Sequence, residues 1–232
     1  MKKILRKISV FALKLLLFIF IITLGWVTLY KYVNPPITPL MLIRFFQEES
    51  GQRLIKADWK KYDEISDYMK IAVIASEDQK FPFHNGFDLQ SIEEAIDEKL
   101  DGERLRGAST ISQQTAKNVF LWPSRSWIRK GMEAYFTVLI EKVWGKKRIL
   151  EVYLNVIETG NGIYGVGEAA QVYFGRSAKN LDEVDAALIA AILPDPRFMS
   201  PAKPSEYVLR KQEWIREQIR NLGGTSYLKN IK

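Results

Sequence analysis

The sequence predicts a mainly α-helical protein held by one N-terminal transmembrane helix. Three observations predict it. Ile8 to Tyr30 is an apolar run of 23 residues, interrupted only by the charge of Lys14. Beyond it, apolar residues recur at helical spacing in seven segments. Glycine or proline then stands where those segments should stop.

The apolar run comes first. At about 1.5 Å per residue, a helix of that length covers roughly 35 Å, enough for a bilayer core with some tilt. Lys14 lies within reach of one face of the bilayer and can snorkel outward. Lys2, Lys3, Arg6 and Lys7 precede it, which places the N-terminus in the cytoplasm. Trp26, Tyr30 and Tyr32 then belong to the far interface. A cleaved signal peptide has a shorter core, about 7–15 residues, ending in small side chains. This run continues into Trp26-Val27-Thr28-Leu29-Tyr30, so a retained anchor is expected. The organisation that follows is a tail over 1–7, a transmembrane helix over 8–30, a linker and membrane-proximal segment over 31–64, and a folded domain over 65–232.

Asn34-Pro35-Pro36-Ile37-Thr38-Pro39 is a stiff exit linker, because its prolines preclude a helix. The helical segments are Ile65 to Ser76, Leu89 to Leu100, Thr110 to Leu121, Ser126 to Trp144, Lys147 to Ile157, Asp182 to Leu193 and Ser205 to Leu222. Clean two-residue hairpin signals are missing, and there is no internal repeat. Leu40 to Phe46 and Val119 to Ile128 are rich in aromatic residues, and each carries an arginine. Ordinary core accounts for either alone. Beside an anchor, a surface dipping into the outer leaflet competes with that reading.

Composition narrows the function. The 34 Lys and Arg exceed the 27 Asp and Glu, a formal charge of +7. Lys2, Lys3, Arg6, Lys7, Lys14 and Lys31 lie in or beside the apolar run, so the remainder is close to neutral, at about +1, unlike a nucleic-acid-binding domain. With no cysteine, disulfides, thiolate catalysis and cysteine–zinc sites are excluded. A single histidine, His84, argues against a histidine-rich metal centre.

Chemistry-bearing residues gather in ordered blocks: Glu77-Asp78-x-x-Phe81-x-x-His84-x-Gly86, Gly107-x-Ser109-Thr110-Ile111-x-Gln113-Gln114, and Arg129-Lys130-x-x-Glu133. A fourth reads Arg148-Ile149-Leu150-Glu151-x-Tyr153-Leu154-Asn155. They supply carboxylates, a paired amide and cations, a set suited to moving a sugar off a charged leaving group. In this order they resemble the signature motifs of the peptidoglycan glycosyltransferases, in their monofunctional, membrane-anchored form. The likeness runs from about Ile65 to Pro201. Ser112 stands where many relatives carry threonine, a change between small hydroxyls.

The resemblance implies a lysozyme-like helical domain with a smaller membrane-proximal lobe. It implies polymerisation of lipid II into glycan strands, with Glu77 as the general base and Glu133 as the second carboxylate of the cleft. Lys117 and Arg125 correspond to the family's diphosphate-binding cations, with Gln113, Gln114, Ser109, Thr110, Arg106, Arg129 and Lys130 as further substrate contacts. No cofactor is required. A divalent cation, magnesium or manganese, is compatible with the reaction, and Glu77 is then its candidate ligand. The implied partners are lipid II, undecaprenyl diphosphate-linked glycan, the membrane, and other cell-wall synthesis or division proteins, with no nucleic acid. The implied location is the bacterial cytoplasmic membrane, crossed once, with the catalytic domain on the extracytoplasmic side.

Structural readings compete at each position. A lone Glu-Asp pair is usually a solvated helix end, and only its surroundings overturn that for Glu77. Arg129 and Glu133 could be a plain i,i+4 pair, though in the less favourable order. Gln113 shares a helix face with Lys117, yet Thr110-x-x-Gln113 also spells a capping box, so both readings stay open. His84 is expected to be a structural hydrogen-bonder. Gly160-Asn161-Gly162-Ile163-Tyr164-Gly165 has dinucleotide-fingerprint spacing but follows a helical pattern, so it is expected to be a loop flanking the cleft. Ser200-Pro201-Ala202-Lys203 has transpeptidase spacing without the partner motif. The rival activities are a glycan-cleaving lysozyme-like or lytic enzyme and a non-catalytic membrane scaffold.

Overall fold

The computed structural model describes residues 2–47, 55–90, 93, 109–124 and 126–232. The helix expected over Leu89 to Leu100 falls mostly outside them, as do Arg106 and Arg125.

Nine helices stand among the described residues: α1 (Lys2–Tyr32), α2 (Pro39–Gln47), α3 (Asp67–Glu77), α4 (Ile111–Phe120), α5 (Trp127–Val143), α6 (Lys146–Val156), α7 (Gly165–Phe174), α8 (Glu183–Ile192) and α9 (Glu206–Asn221). Their starts follow from hydroxyl and carboxylate caps. Ser66, Ser126, Asp182 and Ser205 each accept a backbone N–H of the first turn. α8 is buried from Asp185 to Ile192 without interruption, so it is a core helix rather than an amphipathic one. It packs between α3 and α9, while α4, α5 and α6 pack on one another.

α1 begins at Lys2, so the expected tail and spanning segment form one continuous helix. Its C-terminal end is docked on the domain. Trp26 meets Phe120 edge-on at 5.2 Å, and Trp144 Nε1 donates to Val27 O at 2.7 Å. The Arg148 guanidinium donates to Tyr30 O and Val33 O, satisfying carbonyls that a helix end leaves open. The sequence reading left Arg148 without a role; it ties the anchor to α6.

The segment 31–64 is also more than a linker. β1 (Lys56–Ala57) pairs parallel with β3 (Ile163–Tyr164), which pairs antiparallel with β2 (Glu158–Gly160), in the order β1-β3-β2. Asn155 holds the adjoining strand exit by accepting Lys60 N–H and donating to Lys60 O.

The β2–β3 hairpin corrects the expectation that no such signal exists: Asn161-Gly162 is its two-residue turn, with Gly162 at φ +70°. α7 was likewise not expected. The fingerprint-like glycines serve packing instead of a nucleotide. A Cβ on Gly160 would lie 2.1 Å from the Tyr173 hydroxyl. At Gly165, with φ +76°, a Cβ would lie 2.6 Å from Asn155 O. Gly165→Ala combines left-handed strain with a backbone clash and should destabilise the fold by about 3 kcal/mol or more, measured by urea unfolding. A change under 1 kcal/mol would refute that packing account.

Candidate active site

α3 ends at Glu77 because Asp78 leaves the helix (φ −164°, ψ 76°) and its side chain is committed elsewhere. Both Asp78 oxygens meet His84 Nε2, at 2.9 and 3.0 Å, and Oδ2 also accepts Ile111 N–H at the start of α4. His84 Nδ1 accepts Gly86 N–H, so the network assigns the ring proton to Nε2. Thr110 Oγ1 donates to Gly86 O at 2.7 Å. This buried network fixes the end of α3 against the beginning of α4. His84 is structural, as expected.

Glu77 therefore faces α4. Gln114 Nε2 donates to Glu77 Oε2 at 2.8 Å, and Tyr153 OH donates to Gln114 Oε1 at 3.2 Å. Burial pushes the Glu77 carboxyl above its ordinary range; the Gln114 bond and the charges of Lys211 and Lys117 pull it back. Burial lowers the Lys117 amine, opposed first by the Glu133 carboxylate. Glu77 and Lys117 each feel the other's charge, and Gln114, which bonds Glu77, lies one turn before Lys117 on the same helix. Burial also raises the Tyr153 phenol, keeping it a donor.

Gln114, Lys117 and Tyr153 line a cleft of about 670 Å³ together with Arg129, Glu158 and Arg44. Its walls come from α2, α4, α5, α6, β2, the segment after α4 and the turn after α8. The buried Glu133 carboxylate accepts from both Arg129 and Lys130, one turn back on α5. Its charge holds Arg129 at the wall where Lys117 also stands.

Some expected contacts are placed differently. Gln113 does not reach into the cleft: its Oε1 accepts Thr110 N–H while Thr110 Oγ1 accepts Gln113 N–H, the capping box. Thr110 is buried in that cap and in its bond to Gly86, so it too is structural. The helix turns Gln114, not Gln113, toward the cleft. Ser109 is exposed at the approach to α4. Further residues around the site were not anticipated, Arg44 and Glu158 of the cleft lining among them. Tyr153 lies in a quoted motif without an assigned role, and Lys211 comes from α9 with no spacing to announce it.

Glu77 was the candidate ligand for a divalent ion. Among the described residues no group of three or more His, Asp or Glu could hold one, and both Asp78 oxygens are engaged.

Comparison with known proteins bears on this geometry. The transglycosylase family model matches residues 46–220. The chain belongs to the transglycosylase family. Among similar proteins, the "Biosynthetic peptidoglycan transglycosylase" of Chromohalobacter salexigens is 54% identical over 177 residues, 76% of each chain. Those of the same name from Bdellovibrio bacteriovorus and Stutzerimonas stutzeri are 51% and 50% identical. They cover 89% and 94% of this chain, and 83% and 91% of their own lengths. This transglycosylase is thus an enzyme with a mainly helical catalytic domain, and its N-terminal apolar helix is consistent with a single membrane anchor.

Within the transglycosylase site, Gln114→Leu should shift the acidic limb of the rate profile to higher pH. The lost donor favours the ionised Glu77, so its removal leaves more of that group protonated at neutral pH. Activity should fall on the acidic side of the profile and recover as pH rises. A uniform loss across pH would mean that Gln114 contacts substrate without tuning Glu77.

Proposed function

We propose that this transglycosylase polymerises the glycan strands of peptidoglycan. The donor is a strand joined through C1 to undecaprenyl diphosphate, and the acceptor is the 4-hydroxyl of the N-acetylglucosamine in lipid II. Glu77 takes the acceptor proton as that oxygen bonds to C1 from the face opposite the diphosphate. The C1–O bond to phosphate breaks with its electron pair leaving on the lipid diphosphate, giving an inverted, β-1,4 linkage. Lys117, with Arg129 and Lys130 held by Glu133, offsets the charge that collects on the leaving group. The lipid carrier supplies the activation, so no nucleotide enters.

The observation that carries this reading is a half-buried carboxylate, steered by Gln114, beside a cleft that Gln114 and the half-buried Lys117 line. A proton acceptor and an anion clamp together suit transfer from a diphosphate. A hydrolase expelling a neutral sugar alcohol needs no such clamp. The names of the relatives support the same reaction.

The basic N-terminus supports a cytoplasmic start, with the catalytic domain outside the membrane. Thr23 of the anchor hydrogen bonds Tyr135 of α5, Trp144 meets Val27 and Arg148 meets Tyr30, so α1 and α5–α6 run in the same sense. The start of α5 therefore points back along the anchor. Trp127 and Ile128 there are 91% and 77% exposed, as a surface entering the outer leaflet requires.

Detergent-solubilised protein incubated with labelled lipid II should give polymer that muramidase reduces to disaccharide units. Isolated sacculi should stay insoluble under the same conditions. Soluble fragments from sacculi, without polymer from lipid II, would reverse the assignment in favour of a lytic enzyme.

A further inference from the structure

The cleft lining holds a second polar group that the proposed chemistry does not use. It comprises Arg44 of α2 and Glu158 of β2. The Glu158 side chain is only 10% exposed. Its Oε2 lies 3.5 Å from Arg44 Nε, and its Oε1 lies 4.0 Å from Arg197 Nε. Both are ion-pair distances, too long for good hydrogen bonds.

Three buried polar atoms consequently lack a hydrogen-bond partner among the described residues: Glu158 Oε1, Arg44 Nε and the Tyr164 hydroxyl. They belong together, because Tyr164 stands directly opposite Glu158 in the β2–β3 pair and senses the charges of Glu158, Arg44 and Arg197. Buried polar groups are seldom left unsatisfied, so an open acceptor in a cleft wall marks a place for a donor from outside the chain.

The local charge selects the donor. Two guanidiniums flank one carboxylate, so an ammonium group would meet net positive charge and be repelled. An incoming anion could pair with the guanidiniums but, having no proton to donate, could not satisfy the Glu158 acceptor. A neutral O–H or amide N–H fits without either conflict.

We propose that Glu158 is a specificity-determining residue that accepts a hydrogen bond from a hydroxyl or acetamido N–H of the glycan. This rests on the polymerase reading. The cleft lining is then divided by chemistry: Lys117 and Arg129 take the diphosphate, and Glu158 and Arg44 read the saccharide. Leu40, Pro194 and Pro196 line the cleft beside these groups and limit water around the contact.

Polymer formation by the parent protein is established first, so failure of the polymerase reading and failure of this one are separate results. KM for lipid II is then compared with Ki for undecaprenyl diphosphate, which carries no sugar, in the parent, Glu158→Gln and Glu158→Asp. Gln keeps the shape and removes the charge. Asp keeps the charge between the arginines and withdraws the oxygens by one methylene, so it remains informative if the first variant folds poorly. The expected result is a rise in KM of fivefold or more with Ki within twofold of the parent. A smaller rise in KM, or a parallel rise in Ki, would overturn the proposal and leave Glu158 as a brace for Arg44 and Arg197.

Discussion

Glu77→Gln should lower the rate of lipid II polymerisation by about 10²–10⁴-fold, the range a positioned general base contributes. The same substitution should make the protein more stable at pH values where Glu77 is ionised. Glutamine matches the carboxyl group in shape but cannot accept the acceptor's proton at the reacting oxygen. Burial holds the native Glu77 pKa above its ordinary value. A group raised in the fold contributes stability that is complete below its unfolded pKa and disappears as pH rises through the folded one. Above that folded pKa the parent carries an ionised group in a desolvated place, and glutamine relieves that by about 0.5–2 kcal/mol. The gain in unfolding midpoint should vanish near pH 3–4, where the parent is protonated as well. A variant that polymerises at the parental rate would remove Glu77 from the mechanism.

Lys117→Met should cost about 10²–10³-fold in rate, because a preorganised charge at a developing anion is lost from a water-poor cleft. Ki for undecaprenyl diphosphate should rise with it, since that ligand bears the same charge. Folding should survive. Burial depresses the Lys117 amine, so the unfolded chain holds that proton more strongly than the native one. Stability arising from this group increases as pH climbs from its folded pKa to its unfolded pKa, and at neutral pH the ammonium is a burden on the fold. Glu133 keeps Arg129 and Lys130 as partners, so methionine leaves no buried carboxylate unpaired. Loss of activity with a steady or higher unfolding midpoint separates this role from a structural one. An unchanged Ki would place the diphosphate elsewhere.

The two variants respond alike because both groups are held where solvent would not leave them. Their electrostatic cost to the fold is what makes them effective toward substrate. Asp78 behaves differently: its charge is absorbed by His84 and the α4 backbone, and it shapes the site without entering it.

Local pattern alone determined a good deal of this transglycosylase. The long apolar run, hydroxyl caps ahead of periodic segments and glycine or proline behind them act over a few residues, so α1, α3, α4, α5, α6, α8 and α9 were legible within a turn or two. The short hairpin was missed although Asn161-Gly162 was in view, because two-residue strands have too little alternation to register. α7 was missed because its small residues look like the loop that precedes it. Motif order pointed to Glu77 and Lys117, but neighbours in sequence could not say which of Gln113 and Gln114 faces the cleft. Helix rotation decided that, and rotation is set by the Thr110 cap and the packing of α4 on α6. The approach of Lys211 to Glu77, the clamp of Arg148 on the anchor and the unsatisfied edge at Glu158 join residues far apart along the chain. Such contacts exist only once helices have packed, since burial and distance, which set their strength, are properties of the assembled core.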